Sequence, residues 1–135
     1  VCQRELHFDG STLIVDFHRF TSRPLPCDMD QMAPRPDFCV GTDPFHTSAG
    51  LLNRALTVIG VQGYRVMVNR PYSGTIVPVY EYQKDKAVIS IMIEVRRDLY
   101  MDQTTGAKNK DFHKTRSAIA DLLKALLLGA SDKPF

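Results

Sequence analysis

Two side chains in this sequence have the types and settings that hydrolytic chemistry uses. His18 follows the apolar run Leu13-Ile14-Val15, and Glu94 follows Val88-Ile89-Ser90-Ile91-Met92-Ile93. Each run reads as a strand, so each reactive group is delivered at a strand's carboxyl edge. A neutral imidazole nitrogen ligates a divalent metal, and a carboxylate nearby takes a proton from a water whose pKa the metal has lowered to about 7. The bland readings stand beside this one. A lone histidine at a strand end is more often a hydrogen-bonded structural residue, and a carboxylate followed by Arg96 and Arg97 is usually part of a surface ion pair.

Other candidates are weaker. Asp16 lies two positions before His18, so on a strand both point to one side, and Asp16 either orients the imidazole or simply ties down the strand end. His46 is a loop residue that could be a second ligand or a substrate contact, while His7 and His113 are expected to be solvent-exposed. Arg70, Arg96 and Arg97 carry planar guanidinium forks suited to gripping a carboxylate in two places. Tyr72, Ser73, Gly74 and Thr75 form a hydroxyl-rich turn whose glycine permits close backbone approach. Tyr100, six positions after Glu94, either reaches the site or packs.

The elements that must position these groups follow from patterning. Residues 1–7 read as the end of a helix already under way, as if the chain started late, and Asp9-Gly10 reads as a turn. Residues 12–15 predict a short buried strand ending at Asp16-Phe17-His18. Residues 19–37 are rich in proline and charge (Arg23-Pro24-Leu25-Pro26, Pro34-Arg35-Pro36), which predicts a long, functional loop. Phe38-Cys39-Val40 predicts a second strand, and Ser48 caps a helix in which Leu51, Leu52, Ala55, Leu56 and Ile59 recur at helical spacing up to Gly60. Residues 64–68 predict another strand, residues 69–74 a break bordering the site, and residues 75–79 a further extended run. Residues 88–93, apolar on both faces, predict a central strand. From Asp111 an amphipathic helix places Ile119, Leu122, Leu123 and Leu126 on one face and stops at Gly129. Strands alternating with helices predict an α/β fold with a mixed, largely parallel sheet flanked by helices, whose ligands gather outside the strands' carboxyl ends.

Composition narrows the function classes. With 135 residues, 44% hydrophobic and 24% charged, the chain suits one globular domain. The net charge of +2 is interleaved along the sequence, with no polybasic block for nucleic acid or membrane. No apolar run approaches the roughly 20 residues that span a bilayer. Cys2, Cys27 and Cys39 form no CxxC pair and leave one thiol over under any disulfide scheme, so buried thiols in a reducing, cytoplasmic compartment are expected. The expected partner is a small acidic substrate, with no nucleic acid or membrane, and a homo-oligomer is left open.

Four segments in one order carry a resemblance. These are Val15-Asp16-Phe17-His18 with Ser22-Arg23-Pro24-Leu25-Pro26, then Val40-Gly41-Thr42-Asp43, then Pro71-Tyr72-Ser73-Gly74-Thr75, and then residues 93–102 from Ile93-Glu94 to Met101-Asp102. Together they resemble the C-terminal part of the N-formylglutamate amidohydrolase family. The resemblance implies a zinc carboxypeptidase-like fold and hydrolysis of N-formyl-L-glutamate, or a similar N-acyl amino acid, to formate and glutamate in histidine degradation. It implies zinc as cofactor, His18 as one zinc ligand, and Glu94 as the general base and acid. It also implies substrate binding by Arg97 and Tyr100, with Tyr72, Ser73, Gly74 and Thr75 forming part of the pocket. Family members commonly carry serine at Arg19 and asparagine at Arg96. Their other zinc ligands, a histidine and a glutamate, belong to an N-terminal segment, so this chain offers one family-type ligand. The competing expectation is a non-catalytic domain that keeps the fold and binds an acidic ligand or a partner chain, and a third is a related deacylase for another acyl amino acid.

Overall fold

The structure, a computed structural model, describes residues 2–8 and 10–129, with the backbone alone for 2–8. Five strands form one sheet: β1 (Cys2–Phe8), β2 (Ser11–Phe20), β3 (Phe38–Gly41), β4 (Val66–Val68) and β5 (Val88–Arg96). Their order across the sheet is β1-β2-β5-β3-β4. The β2–β5 and β3–β4 pairs are parallel, and the β1–β2 and β3–β5 pairs antiparallel. This is the expected mixed α/β sheet, with the two kinds of pairing in equal number.

Two helices, α1 (Ala49–Val61) and α2 (Phe112–Gly129), pack on a single face of that sheet. The alternation of side chains along a strand explains why. Leu13 and Val15 of β2, Ile89, Ile91, Ile93 and Val95 of β5, and Phe38 and Val40 of β3 form one core cluster with Leu51, Ala55 and Ile59 of α1 and Leu122 and Leu126 of α2. The intervening residues Ile14, Asp16, Met92, Glu94 and Cys39 are also buried, but on the opposite face, beneath loops. The Ser48 hydroxyl accepts from the Leu51 amide and opens α1 as expected.

Three expectations are corrected. Residues 1–7 read as the end of a helix, but residues 2–8 form a strand paired with β2 from Cys2↔Phe17 to Phe8↔Ser11. The connection is a tight turn in which Gly10 has φ +81°, a conformation that glycine adopts without strain. Residues 75–79 form no strand. Most relevant to function, β2 does not stop at Val15, nor β5 at Ile93. Both run on, to Phe20 and Arg96, so His18 and Glu94 lie within strands and not beyond their ends. The polar residues Asp16 and His18 do not break the strand, because alternation sends them to the face opposite the helices while Val15 and Phe17 serve the core.

Of the expected buried thiols, Cys39 is buried but Cys27 is exposed, and both are free; the Cys2 side chain lies outside the described residues. No helix among the described residues is long and apolar enough to cross a membrane.

Candidate active site

The helix-free face of the sheet brings the principal candidates into one row. His18 of β2 is the register partner of Glu94 of β5, and Glu94 is in turn the partner of Cys39 of β3. Residues directly opposite one another share a face with Cβ atoms about 5 Å apart, so imidazole, carboxylate and thiol stand side by side across three strands. Asp16, one pleat back on β2, approaches His18 Nε2 with Oδ1 at 2.9 Å.

Burial makes this row chemically unusual. Glu94 is 6% exposed and Asp16 1% exposed, while the His18 side chain remains 31% exposed. Removal from water pushes the Glu94 carboxyl above the ordinary glutamate range; the nearby His18 draws it back, Asp16 adds to the rise, and Arg35 lowers it. Glu94 Oε2 and both Asp16 carboxylate oxygens are buried with no hydrogen-bond partner among the described residues. The contact between His18 and Asp16 is therefore a charge-pair distance without hydrogen-bond alignment. Orphaned buried acceptors are rare and mark a position where a proton donor or cation completes the arrangement. Burial also raises the Cys39 thiol, whose Sγ donates to the Tyr72 carbonyl at 3.1 Å.

The 72–75 turn lies over the same face. Thr75 Oγ1 and Ser90 Oγ are 2.6 Å apart, and Ser90 Oγ donates to the Ile76 carbonyl at 2.7 Å. Gly74 (φ +85°) sits so close to the sheet that a Cβ on Gly41 would overlap its carbonyl oxygen. Asn69 pins the arrangement: its Oδ1 accepts from the Thr42 amide at 2.9 Å and the Gly74 amide at 3.4 Å. Ser73 is exposed at the crest. Tyr72 and Gly74 with Thr75 are thus held against the rows that carry Glu94 and His18.

A residue that sequence reasoning passed over anchors this region. Arg35, 2% exposed, sits between Pro34 and Pro36 in the long loop. Its Nη2 pairs with Asp28 Oδ2 at 2.6 Å, and its guanidinium lies 5.7 Å from the Phe20 ring centroid and 5.8 Å from that of Tyr72. The Tyr72 hydroxyl donates to Asp28 Oδ1 at 3.0 Å. The Leu25 amide, then Arg35 and Tyr72, hold the Asp28 carboxyl below its ordinary range. The only signal in the sequence was the proline-rich composition that marked the loop as functional.

The remaining candidates are placed elsewhere. Arg96 bonds Asp37 at 3.0 Å and Asp98 at 2.6 Å, and Arg70 bonds Asp30 at 2.8 Å; both are occupied as structural ties. His46, open in the sequence between ligand, substrate contact and loop residue, is fully buried. Its Nδ1 lies 2.7 Å from the Val88 carbonyl, and its Nε2 accepts from the Gln83 amide at 2.9 Å, so neither nitrogen is free for a metal. His113 is exposed as expected, and the His7 side chain lies outside the described residues. Arg97 is half-buried with an unpartnered Nε. Tyr100 packs on the helix-side core with its ring 6.5 Å from that of Phe112, and is not brought together with Glu94.

This geometry meets two independent similarities. A family model for N-formylglutamate amidohydrolase matches residues 2–101, which includes every strand and the whole His18–Glu94 row. The chain belongs to the N-formylglutamate amidohydrolase family. Among solved structures it is similar to N-formylglutamate amidohydrolase from Ralstonia eutropha JMP134, with 25% sequence identity and a TM-score of 0.67. That match covers 90% of this chain and 44% of the other, so the chain spans less than half the length of that relative. No curated protein matches the chain. Membership makes the chain part of a hydrolase family.

As a zinc site the row fits in part. An imidazole with orphaned carboxylate oxygens beside it is a donor set of the right chemistry. Yet no group of three His, Cys, Asp or Glu side chains among the described residues is arranged to hold a metal ion.

Proposed function

We propose that this amidohydrolase family member hydrolyses N-formyl-L-glutamate, or a closely similar N-acyl amino acid, at the row formed by His18 and Glu94, with zinc as cofactor. The observation that supports this most is Glu94 itself: a buried carboxylate with an unpartnered oxygen, directly opposite a part-exposed imidazole on the adjacent strand. His18 would supply one zinc ligand, with Asp16 behind it fixing the ring. The other ligands would come from outside the described residues. Held there, zinc would supply acidification of water and polarisation of the scissile carbonyl.

The chain's own residues account for the proton traffic. Glu94 Oε2 accepts a proton from the attacking water as the water oxygen bonds to the acyl carbon. The same proton passes to the amine nitrogen as the carbon–nitrogen bond breaks, yielding the free acid and the amino acid. A carboxyl that burial holds above its ordinary range takes a proton more readily than an ordinary glutamate, which suits the first half of this task. The 72–75 turn forms one wall of the pocket, with the exposed Ser73 hydroxyl facing out, and Arg97 offers a cation for the substrate's acidic group. In this reading the reaction belongs to histidine degradation.

The test is formate release by the full-length protein, assayed with zinc, after chelation, and after zinc is restored. Zinc-dependent release that collapses in Glu94→Gln is expected. Undiminished turnover in that variant would refute the assignment of the base. The alternative, a non-catalytic domain that binds an acidic ligand or partner chain, is favoured by the incomplete set of ligands among the described residues. A full-length protein that binds N-formylglutamate without hydrolysing it would establish that alternative.

A further inference from the structure

Tyr72 is held at both ends. Its backbone carbonyl accepts from Cys39 Sγ at 3.1 Å, which pins the start of the 72–75 turn to β3 at the register partner of Glu94. Its hydroxyl donates to Asp28 Oδ1 at 3.0 Å, and Asp28 Oδ2 pairs with Arg35 Nη2 at 2.6 Å. One residue therefore bridges the sheet and the proline-rich loop.

The loop end of this bridge is itself fastened. Pro34 and Pro36 restrict the backbone on either side of Arg35. The Arg35 carbonyl accepts from Arg65 Nη2 at 3.2 Å and from Arg96 Nη1 at 2.8 Å. Its guanidinium donates to the Thr21 and Asp30 carbonyls, each at 3.3 Å, and Asp28 Oδ2 also accepts from the Leu25 amide at 2.8 Å. A second tie runs beside the first, from Arg70 Nε to Asp30 Oδ2 at 2.8 Å. Packing hydrocarbon would attach a loop without burying any charge, and a buried ion pair returns little net stability. What the polar network supplies instead is direction, because its bonds weaken steeply off alignment. The Cys39 thiol, fully buried and bonded to the Tyr72 carbonyl, reports on the seat that results.

We propose that Arg35 and Asp28 are positioning residues: through the Tyr72 hydroxyl they set the seat of the 72–75 turn beside Glu94, and with it how tightly the site holds its substrate. Neither is assigned a contact with the reacting atoms. The effect on substrate rests on the hydrolytic reading above; the seating of the turn does not.

The test compares Tyr72→Phe, Asp28→Asn and the double variant in the full-length protein. It reads KM and kcat for formate release, and the rate at which iodoacetamide alkylates Cys39, followed peptide by peptide by mass spectrometry. A buried thiol reacts only when uncovered as thiolate, so a loosened turn should speed Cys39 alkylation roughly tenfold, equivalent to about 1.4 kcal/mol of lost closure. Each single variant should raise KM by more than it lowers kcat. Tyr72→Phe should add little on top of Asp28→Asn, because the hydroxyl acts through that carboxylate. Thr115→Ala, which removes a hydrogen bond on the helix side, controls for general destabilisation and should leave Cys39 alkylation and KM unchanged. Asp28→Asn strands a buried cation; if it does not fold, alkylation of Tyr72→Phe alone decides. Alkylation of Cys39 at the parent rate in Tyr72→Phe, or KM effects that add in the double variant, would overturn the proposal. Absence of formate release from the parent with zinc would instead refute the hydrolytic reading, with alkylation still deciding whether the turn is seated this way.

Discussion

His18 and Glu94 are register partners on the parallel strands β2 and β5, so an imidazole and a carboxylate face the same side of the sheet one strand apart. The backbone ladder fixes their separation, and no loop has to close to bring them together.

The first prediction concerns the base. General acid–base catalysis contributes typically 10²- to 10⁴-fold, so Glu94→Gln in the full-length protein should reduce kcat for formate release by about that range. KM should change little, because the isosteric amide keeps the shape of the pocket. Steady-state kinetics with a formate-specific assay measures both.

The same substitution should stabilise the fold. Because burial raises the Glu94 carboxyl, the folded chain holds a proton there more tightly than the unfolded chain does. Stability from this group is therefore present at acid pH and is lost as pH rises through the raised folded value. Glu94→Gln removes that loss, so its melting temperature should exceed the parent's at pH 7, with the gap closing below the ordinary glutamate range. Thermal scans of both proteins across pH 4 to 8 test this; an equal gap at every pH would contradict it.

The pH–rate profile carries a third expectation. A base must be ionised to accept a proton, so kcat/KM should fall toward acid along a limb set by Glu94, lying above the range of an unperturbed glutamate. Replacement of Asp16 by Asn removes a neighbouring negative charge that adds to the rise, and the limb should move toward lower pH. A shift toward higher pH would show that Asp16 does not act on Glu94 electrostatically.

A fourth prediction tests how the 72–75 turn is seated. A Cβ at Gly41 would overlap the Gly74 carbonyl oxygen, a backbone atom that cannot swing aside. Overpacking of this kind costs about 1–3 kcal/mol, so Gly41→Ala should lower stability by that amount in urea unfolding. It should also raise KM more than it lowers kcat, since the turn moves and the base does not. Gly60→Ala, inside α1 where a Cβ meets nothing within 4 Å, serves as the control: it should leave KM unchanged and raise stability by about 0.5–1 kcal/mol through helix propensity.

How far the sequence disclosed this arrangement depends on which physical signal each part used. The helices were legible because their apolar residues recur at helical spacing and Ser48 caps α1. The centre of β5 was legible because a strand covered on both faces is apolar throughout. Glu94 and His18 stood out as reactive types next to such runs, and the family resemblance singled them out again. The strand ends are not legible from Asp16, His18 and Glu94, because period-two alternation lets a strand carry polar residues on one face and core residues on the other. The β1 strand was missed because its mixed sequence has little intrinsic signal and its partner is supplied by a turn. Arg35 and Cys39 were invisible as site neighbours, since only the β3–β5 register and the path of a proline-rich loop bring them near Glu94. Tyr100 packs against the helix-side core, and six positions of sequence separation said nothing about which side of the sheet it would reach.

Glu94 sits on the middle strand of five, bonded on both sides, and a slip of one residue would turn it into the hydrocarbon core. The segments that border it, residues 21–37 and 69–87, are irregular and obey no such constraint. Selection can therefore rewrite what borders this carboxylate, by lengthening or substituting those segments, while Glu94 itself stays where the ladder put it. If the proposed hydrolysis holds, a lineage built this way would diversify in the molecules it consumes long before it altered the bond it breaks.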